Sequence, residues 1–249
     1  GNYKKAAKAY GKLAMNHNNK EEKAIFFAKQ ARCLLLANKI NAAKESYEKL
    51  LKSYPLYISY EDTVENLRQL AACFEQGKGT FLGMKDEAAA ASIYELIVRE
   101  SPSIHVSLND RLKLAELLKK TKNTEEAANT YQAILRKDPM QHEVRFELAK
   151  LLERFSRKGD GDGRKLRAAI REINTFLQSV DENHPKRKSA ERLLRKAKDT
   201  QARKFLEQAK FYLQRRHRRP DAARRYLLDI ERNFPDTKAA EEAKKILAE

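Results

Sequence analysis

The sequence predicts an all-α fold, a solenoid of about eleven helices stacked in pairs. Three observations predict it. The first is composition: 249 residues hold only 8 Gly and 6 Pro, and 35% of them are charged. A chain so poor in breakers, and so rich in Ala, Leu, Lys, Arg and Glu, favours helix throughout. The second is a three-point pattern of Ala, an aromatic or aliphatic residue four later, and Pro eight beyond that. It occurs as Ala43-Tyr47-Pro55, Ala90-Tyr94-Pro102, Ala127-Tyr131-Pro139 and Ala223-Leu227-Pro235. The third is a small residue with an apolar residue three later: Ala31/Leu34, Ala71/Phe74, Ala115/Leu118, Ala149/Leu152 and Ala209/Tyr212. The spacing from Ala31 to Ala43 equals that from Ala115 to Ala127. A small residue on one helix lets its partner approach, the partner's own Ala admits a neighbouring ring, and Pro ends the pair.

The elements follow in order. GNYKKAAKAY opens the chain with a turn, then a helix with Tyr3, Ala6, Ala7 and Tyr10 on one face; Ala6 and Tyr10 fit the pattern, with Asn18 where Pro would stand. Residues 20–37 and 41–54 form the first full hairpin, and 61–76 with 85–100 the second. The second contains an insertion, GKGTFLG, which stretches the Ala71-to-Ala90 spacing well past that of the other two pairs. Gly77, Gly79 and Gly83 in it lack phosphate-loop spacing, and Phe81 and Leu82 are expected to tuck back onto the helices. Residues 106–121 and 124–137 pair at normal spacing. Residues 141–156 and 164–180 enclose a second insertion at 157–163. Its Asp160 and Asp162 look like part of a calcium loop, but Arg171 stands where the terminal Glu would be, so no calcium site is expected. Residues 186–216 read as one long basic helix or two nearly continuous ones. A helix at 221–233 and a closing helix capped by Asp236 or Thr237 complete the chain. One domain over 1–249 is expected, with 157–163 and 181–189 as the places where it would bend.

These paired patterns resemble the tetratricopeptide repeat, a helix–turn–helix unit of about 34 residues. The resemblance implies a right-handed superhelix whose first helices line a concave, ligand-bearing face. Gly1-Asn2-Tyr3 then matches a repeat's turn. The first helix of that repeat either lies upstream of Gly1, or Gly1 is a tag remnant. Counted from each small residue, the groove positions include Arg32, Leu35, Arg68, Leu112, Lys119, Lys120, Phe146, Lys150, Glu153, Arg154 and Lys210. Apolar and basic residues alternate there, which suits a peptide or helix with apolar anchors and acidic flanks. Chaperone-tail-binding members of the family use a Lys-Asn clamp; Ala28 with Arg32 and Arg68 with Ala72 stand at those positions, so that mode is not expected.

Both ends resemble a narrower family, the BamD-type lipoproteins of bacterial outer-membrane assembly. The matching stretches are Ala209-Lys210-Phe211-Tyr212 with Arg215, Ala222-Ala223-Arg224-Arg225, Phe234-Pro235-Asp236-Thr237, and GNYKKAAKAYGKL at the start. The insertions and the RRHRRP turn depart from that pattern. This resemblance implies a periplasmic scaffold, held at the outer membrane by a lipid upstream of Gly1. A generic cytoplasmic tetratricopeptide adaptor is the alternative.

Net charge is +17, and residues 151–249 carry 27 Lys and Arg against 16 Asp and Glu. An anionic lipid or nucleic acid is therefore the second partner class, through residues 186–225. The histidines at 17, 105, 142, 184 and 217 are scattered, and no nucleophile, metal or dinucleotide motif is present. No enzyme activity, cofactor or small-molecule substrate is expected. Cys33 and Cys73, at equivalent repeat positions, read as buried structural thiols.

Overall fold

The computed structural model describes residues 2–157, 163–214 and 219–248. Among them it contains twelve α-helices. They are α1 (Tyr3–Asn16), α2 (Lys20–Leu36), α3 (Ile40–Ser53), α4 (Tyr60–Gln76), α5 (Glu87–Glu100), α6 (Leu108–Lys120), α7 (Thr124–Lys137), α8 (His142–Ser156), α9 (Arg164–Ser179), α10 (Arg187–Leu213), α11 (Pro220–Asn233) and α12 (Lys238–Ala248). A single 3-10 turn stands at Phe81–Gly83. Each repeat Pro lies two residues beyond the helix it follows, at Pro55, Pro102, Pro139 and Pro235. Asp160, Asp162, Arg215 and His217, named above for their sequence context, lie outside the described residues. The chain divides into two compact units, Gly1–Ile134 and Leu135–Glu249, and the division falls inside α7.

In the first unit, helices from α1 to α6 each pack on the next. α2 also touches α4, and α3 touches α5, which is the stacking of successive pairs expected of a solenoid. The alanines that define the pattern are fully buried: Ala31, Ala43, Ala71, Ala90, Ala115 and Ala127 are all removed from water. Tyr47, Tyr94 and Tyr131 are buried beside them. Burial pushes the Tyr94 hydroxyl up to about 12. Leu67, Leu70, Phe74, Leu117 and Leu118 fill the space between pairs, each contributing about 1.5–3 kcal/mol by leaving water.

The first helices of this unit stop in one way. Asn38, Gly77 and Lys122 take left-handed backbone angles, and the next N–H donates back to the carbonyl of Leu34, Cys73 or Leu118 at 2.9 Å. That Schellman closure satisfies carbonyls a helix end would leave orphaned. At Gly77 no side chain fits, because a Cβ would collide with the carbonyl oxygen of Gly83.

The structure corrects three expectations. On α1, Ala7, Gly11 and Ala14 are buried, while Ala6 and Tyr10 are only half-buried. Gly11 lies against the amide of Gln30, and Tyr10 leans on Phe26, so of the predicted face Ala7 alone is fully buried and the packed stripe runs on through Gly11 and Ala14. Cys33 and Cys73 are half-buried free thiols rather than fully buried ones. Phe81 and Leu82 do not tuck back but project from the loop.

In the second unit, Phe146 of α8 stacks on Phe176 of α9 at 5.0 Å, with Ala149, Ile173 and Ala190 closing that cluster. A second cluster joins Ala202, Leu206 and Ala209 of α10 to Ala223, Leu227 and Ile230 of α11 and to the alanines of α12. α10 is one unbroken helix of 27 residues that serves both clusters. The turn at 181–186 is pinned: His184 meets the edge of Phe176 at 5.3 Å, and Glu143 pairs with both His184 and Lys186. Arg187 donates to the last carbonyls of α9, at Leu177 and Val180. Thr237 caps α12, its Oγ accepting from the Ala240 N–H at 3.3 Å.

Candidate functional site

The predicted groove residues sort by their distance from the packing alanine. Arg32, Lys150 and Lys210 stand one residue after it, Lys120 and Arg154 five after, and all are exposed. Leu35 and Lys119 stand four after, Arg68, Leu112 and Phe146 three before, and all are buried or half-buried. The reason is helical geometry: positions three before and four after share the face of the alanine itself. Leu35 and Phe146 are therefore packing residues, not surface anchors. The accessible rows are Arg32 and Lys120 in the first unit, and Lys150, Arg154 and Lys210 in the second.

Several of the exposed basic groups are held by local acids. Lys120 lies 3.7 Å from both Glu87 and Glu116. Lys150 reaches Glu147 at 2.8 Å and sits over the Phe146 ring, and Lys210 reaches Glu242 at 2.5 Å. An acidic partner would exchange these weak surface pairs for its own carboxylates. Lys119, half-buried, lies 3.4 Å from the Tyr131 hydroxyl.

Arg68 has a different task. Its Nε and Nη2 each donate to the Asp110 carboxylate at 2.8 Å, and Nη2 also donates to the carbonyl of His105. Asp110 is 1% exposed. It completes a capping box on α6, accepting from the Ser107 N–H at 2.7 Å while its own N–H donates to the Ser107 hydroxyl. Burial pushes the Asp110 carboxyl up, but hydrogen bonds from Arg68 and Ser107 outweigh it and hold the group below its ordinary value. The same pair holds the Arg68 guanidinium above its own. Arg68 thus clamps α4 to α6. Asp110 escapes the groove pattern, although Ser107-x-x-Asp110 is a readable capping-box signal.

The family model of the tetratricopeptide repeat matches residues 29–57 and 111–139. Those two stretches are similar to tetratricopeptide repeats. The matched stretches run from the middle of α2 through α3, and from α6 through α7, so each contains one of the two equally spaced alanine pairs. A search of curated protein sequences returned no significant match. Among solved structures, the chain is similar to one titled "Functional Characterization of Pseudomonas Aeruginosa pilF", at 18% identity over 98% of both chains. The TM-score is 0.34, so that likeness carries no argument.

Two further features lie off the basic rows. Glu153, predicted to face the groove, is buried and gripped by Arg157 of its own helix end at 2.6 Å, with Lys196 of α10 at 3.9 Å. A cleft of about 220 Å³ lies between α10, at Leu194, Arg195 and Lys198, and the turn from Phe234 to Thr237. Among the described residues, no group of three or more His, Cys, Asp or Glu is placed to hold a metal. No helix among them is long and apolar enough to cross a membrane.

Proposed function

We propose that this chain is a non-catalytic protein-interaction scaffold that holds peptide segments on the first helices of its tetratricopeptide repeats. The observation that carries the reading is the set of exposed basic residues one or five positions after four of the packing alanines: Arg32 and Lys120 in one unit, Lys150, Arg154 and Lys210 in the other. Leu36 and Leu112 supply apolar contact beside the first row, and Leu213 beside the second. The ligand that fits is a peptide with Leu or Phe anchors and Asp or Glu on either side. Fluorescence anisotropy with such peptides, set against the same anchors flanked by Lys, tests it. The acidic set binds and the basic set does not. Lys150→Glu with Arg154→Glu, or Lys120→Glu, weakens binding about tenfold, in line with the loss of a close charge pair. Affinity unchanged by all three reversals would sink the assignment.

The finer reading is a bacterial envelope scaffold of the outer-membrane-assembly type. It rests on the BamD-like stretches at Ala209–Tyr212, Ala222–Arg225 and Phe234–Thr237. Mass spectrometry of the full gene product from its native host decides it. A lipid on the N-terminal residue and recovery in the outer-membrane fraction support it; an unlipidated cytoplasmic protein overturns it.

A further inference from the structure

The insertion between α4 and α5 is a built projection. Gly77 ends α4, and the backbone returns at Asp86, whose N–H donates to the carbonyl of Phe74 at 3.0 Å and whose side chain caps α5. The Thr80 hydroxyl staples the two arms, lying 2.8 Å from the carbonyl of Gly77 and 2.6 Å from that of Met84. The inner side of the loop rests on the α2–α3 turn: a Cβ on Gly79 would meet the carbonyl and side-chain oxygens of Asn38 at 2.8 Å. At its tip, Leu82 takes a left-handed backbone angle, φ 54°, which only the surrounding turn can hold.

This frame points apolar side chains outward. Phe81 is 80% exposed, Leu82 81% and Met84 63%. Three large apolar side chains so close in sequence, all in water, are not an ordinary scatter of surface hydrophobes. Lys78 and Lys85 flank them, both exposed, and among the described residues neither forms an ion pair. The neighbouring acids are engaged: Glu75 with Lys113, Glu87 with Lys120, and Asp86 as the cap of α5.

We propose that the 77–86 loop is an interfacial membrane anchor, with Phe81 and Leu82 entering the headgroup–acyl boundary of an anionic bilayer and Lys78 and Lys85 on its phosphates. A projecting tip with paired apolar side chains and flanking lysines has the chemistry of a surface-inserting segment. A second copy of this chain is a poor occupant, because both copies carry +17. The anchor does not depend on the peptide-binding rows, which lie on other positions of the helices.

The chain contains no Trp, so Phe81→Trp installs a single indole at the tip. The full chain carrying that substitution is titrated with vesicles of phosphatidylcholine containing phosphatidylglycerol as the minor, anionic component, and with vesicles of phosphatidylcholine alone. Emission shifts to the blue on the anionic vesicles and is quenched by lipids brominated in the acyl chain. Adding Leu82→Asp abolishes the shift, and Lys78→Glu with Lys85→Glu raises the lipid needed by about tenfold. All these side chains are exposed, so the thermal midpoint stays where it was. Vesicle pelleting without a blue shift would place the contact on the basic 186–225 segment and overturn the proposal. No association with either vesicle overturns it too and leaves the loop to a protein partner.

Discussion

Arg68 shows how a single residue changes meaning once its neighbours are known. By position and charge it belongs with the groove, yet its guanidinium is spent on Asp110. Arg68→Ala strands a buried carboxylate and is expected to cost about 2–3 kcal/mol, less than a fully buried pair because Arg68 keeps 32% of its side chain exposed. Urea denaturation reads this loss directly. The pair also sets a pH dependence. Asp110 is held below its ordinary value in the folded chain, so the unfolded chain takes up a proton first as pH falls. Its contribution is complete above about pH 4 and is lost as pH drops from there through the folded value. Asp110→Asn is expected to lower stability at neutral pH and to flatten this acid loss. An acid limb identical to that of the parent chain would assign the dependence to other carboxylates. Charge reversal at Arg68 therefore reports on folding, and the proposed peptide rows are better tested at Lys120, Lys150 and Arg154.

At the scale of the element, α10 carries the most. Its first half closes the Phe146–Phe176 cluster through Ala190, and its second half pairs with α11 through Ala202, Leu206 and Ala209. One helix of 27 residues spans about 40 Å, long enough to serve two successive layers. That length works only with close packing at alanine. Ala209→Leu inserts three heavy atoms where there is no space and is expected to destabilise by about 1–3 kcal/mol. Gln208→Leu, one residue away and exposed, is expected to be near neutral. A guanidinium titration of the two variants compares them, and equal midpoints would mean that α11 does not pack as closely on α10 as the structure has it.

At the scale of the whole molecule, charge dominates. A net +17, with 27 basic residues beyond position 150, attracts any polyanion at low ionic strength. Labelled single-stranded RNA is expected to bind at low salt, without sequence preference, and to dissociate by about 0.2 M salt. Anisotropy over a salt series checks it. Binding that survives that salt and depends on sequence would instead make nucleic acid a specific ligand.

The order of the helices and the alanines buried between them were legible from the sequence alone. Small residues at fixed spacing let paired helices approach, and Ala31, Ala43, Ala115 and Ala127 are all buried. The Pro positions and α12's cap were legible for the same local reason. Which side of a first helix faces water was read only in part. Leu35 and Arg32 are three residues apart, and a rotation about the helix axis separates packing from surface; only the neighbouring helices set that rotation. Sequence was also silent on the Arg68–Asp110 clamp, whose partners are 42 residues apart and meet through stacking of pairs. It misjudged Phe81 and Leu82, because hydrophobicity argues for burial while the Gly77, Thr80 and Asn38 contacts that hold the loop outward exist only in three dimensions. Periodic patterns encode contacts between adjacent helices; the contacts that shape the candidate sites join residues no local pattern links.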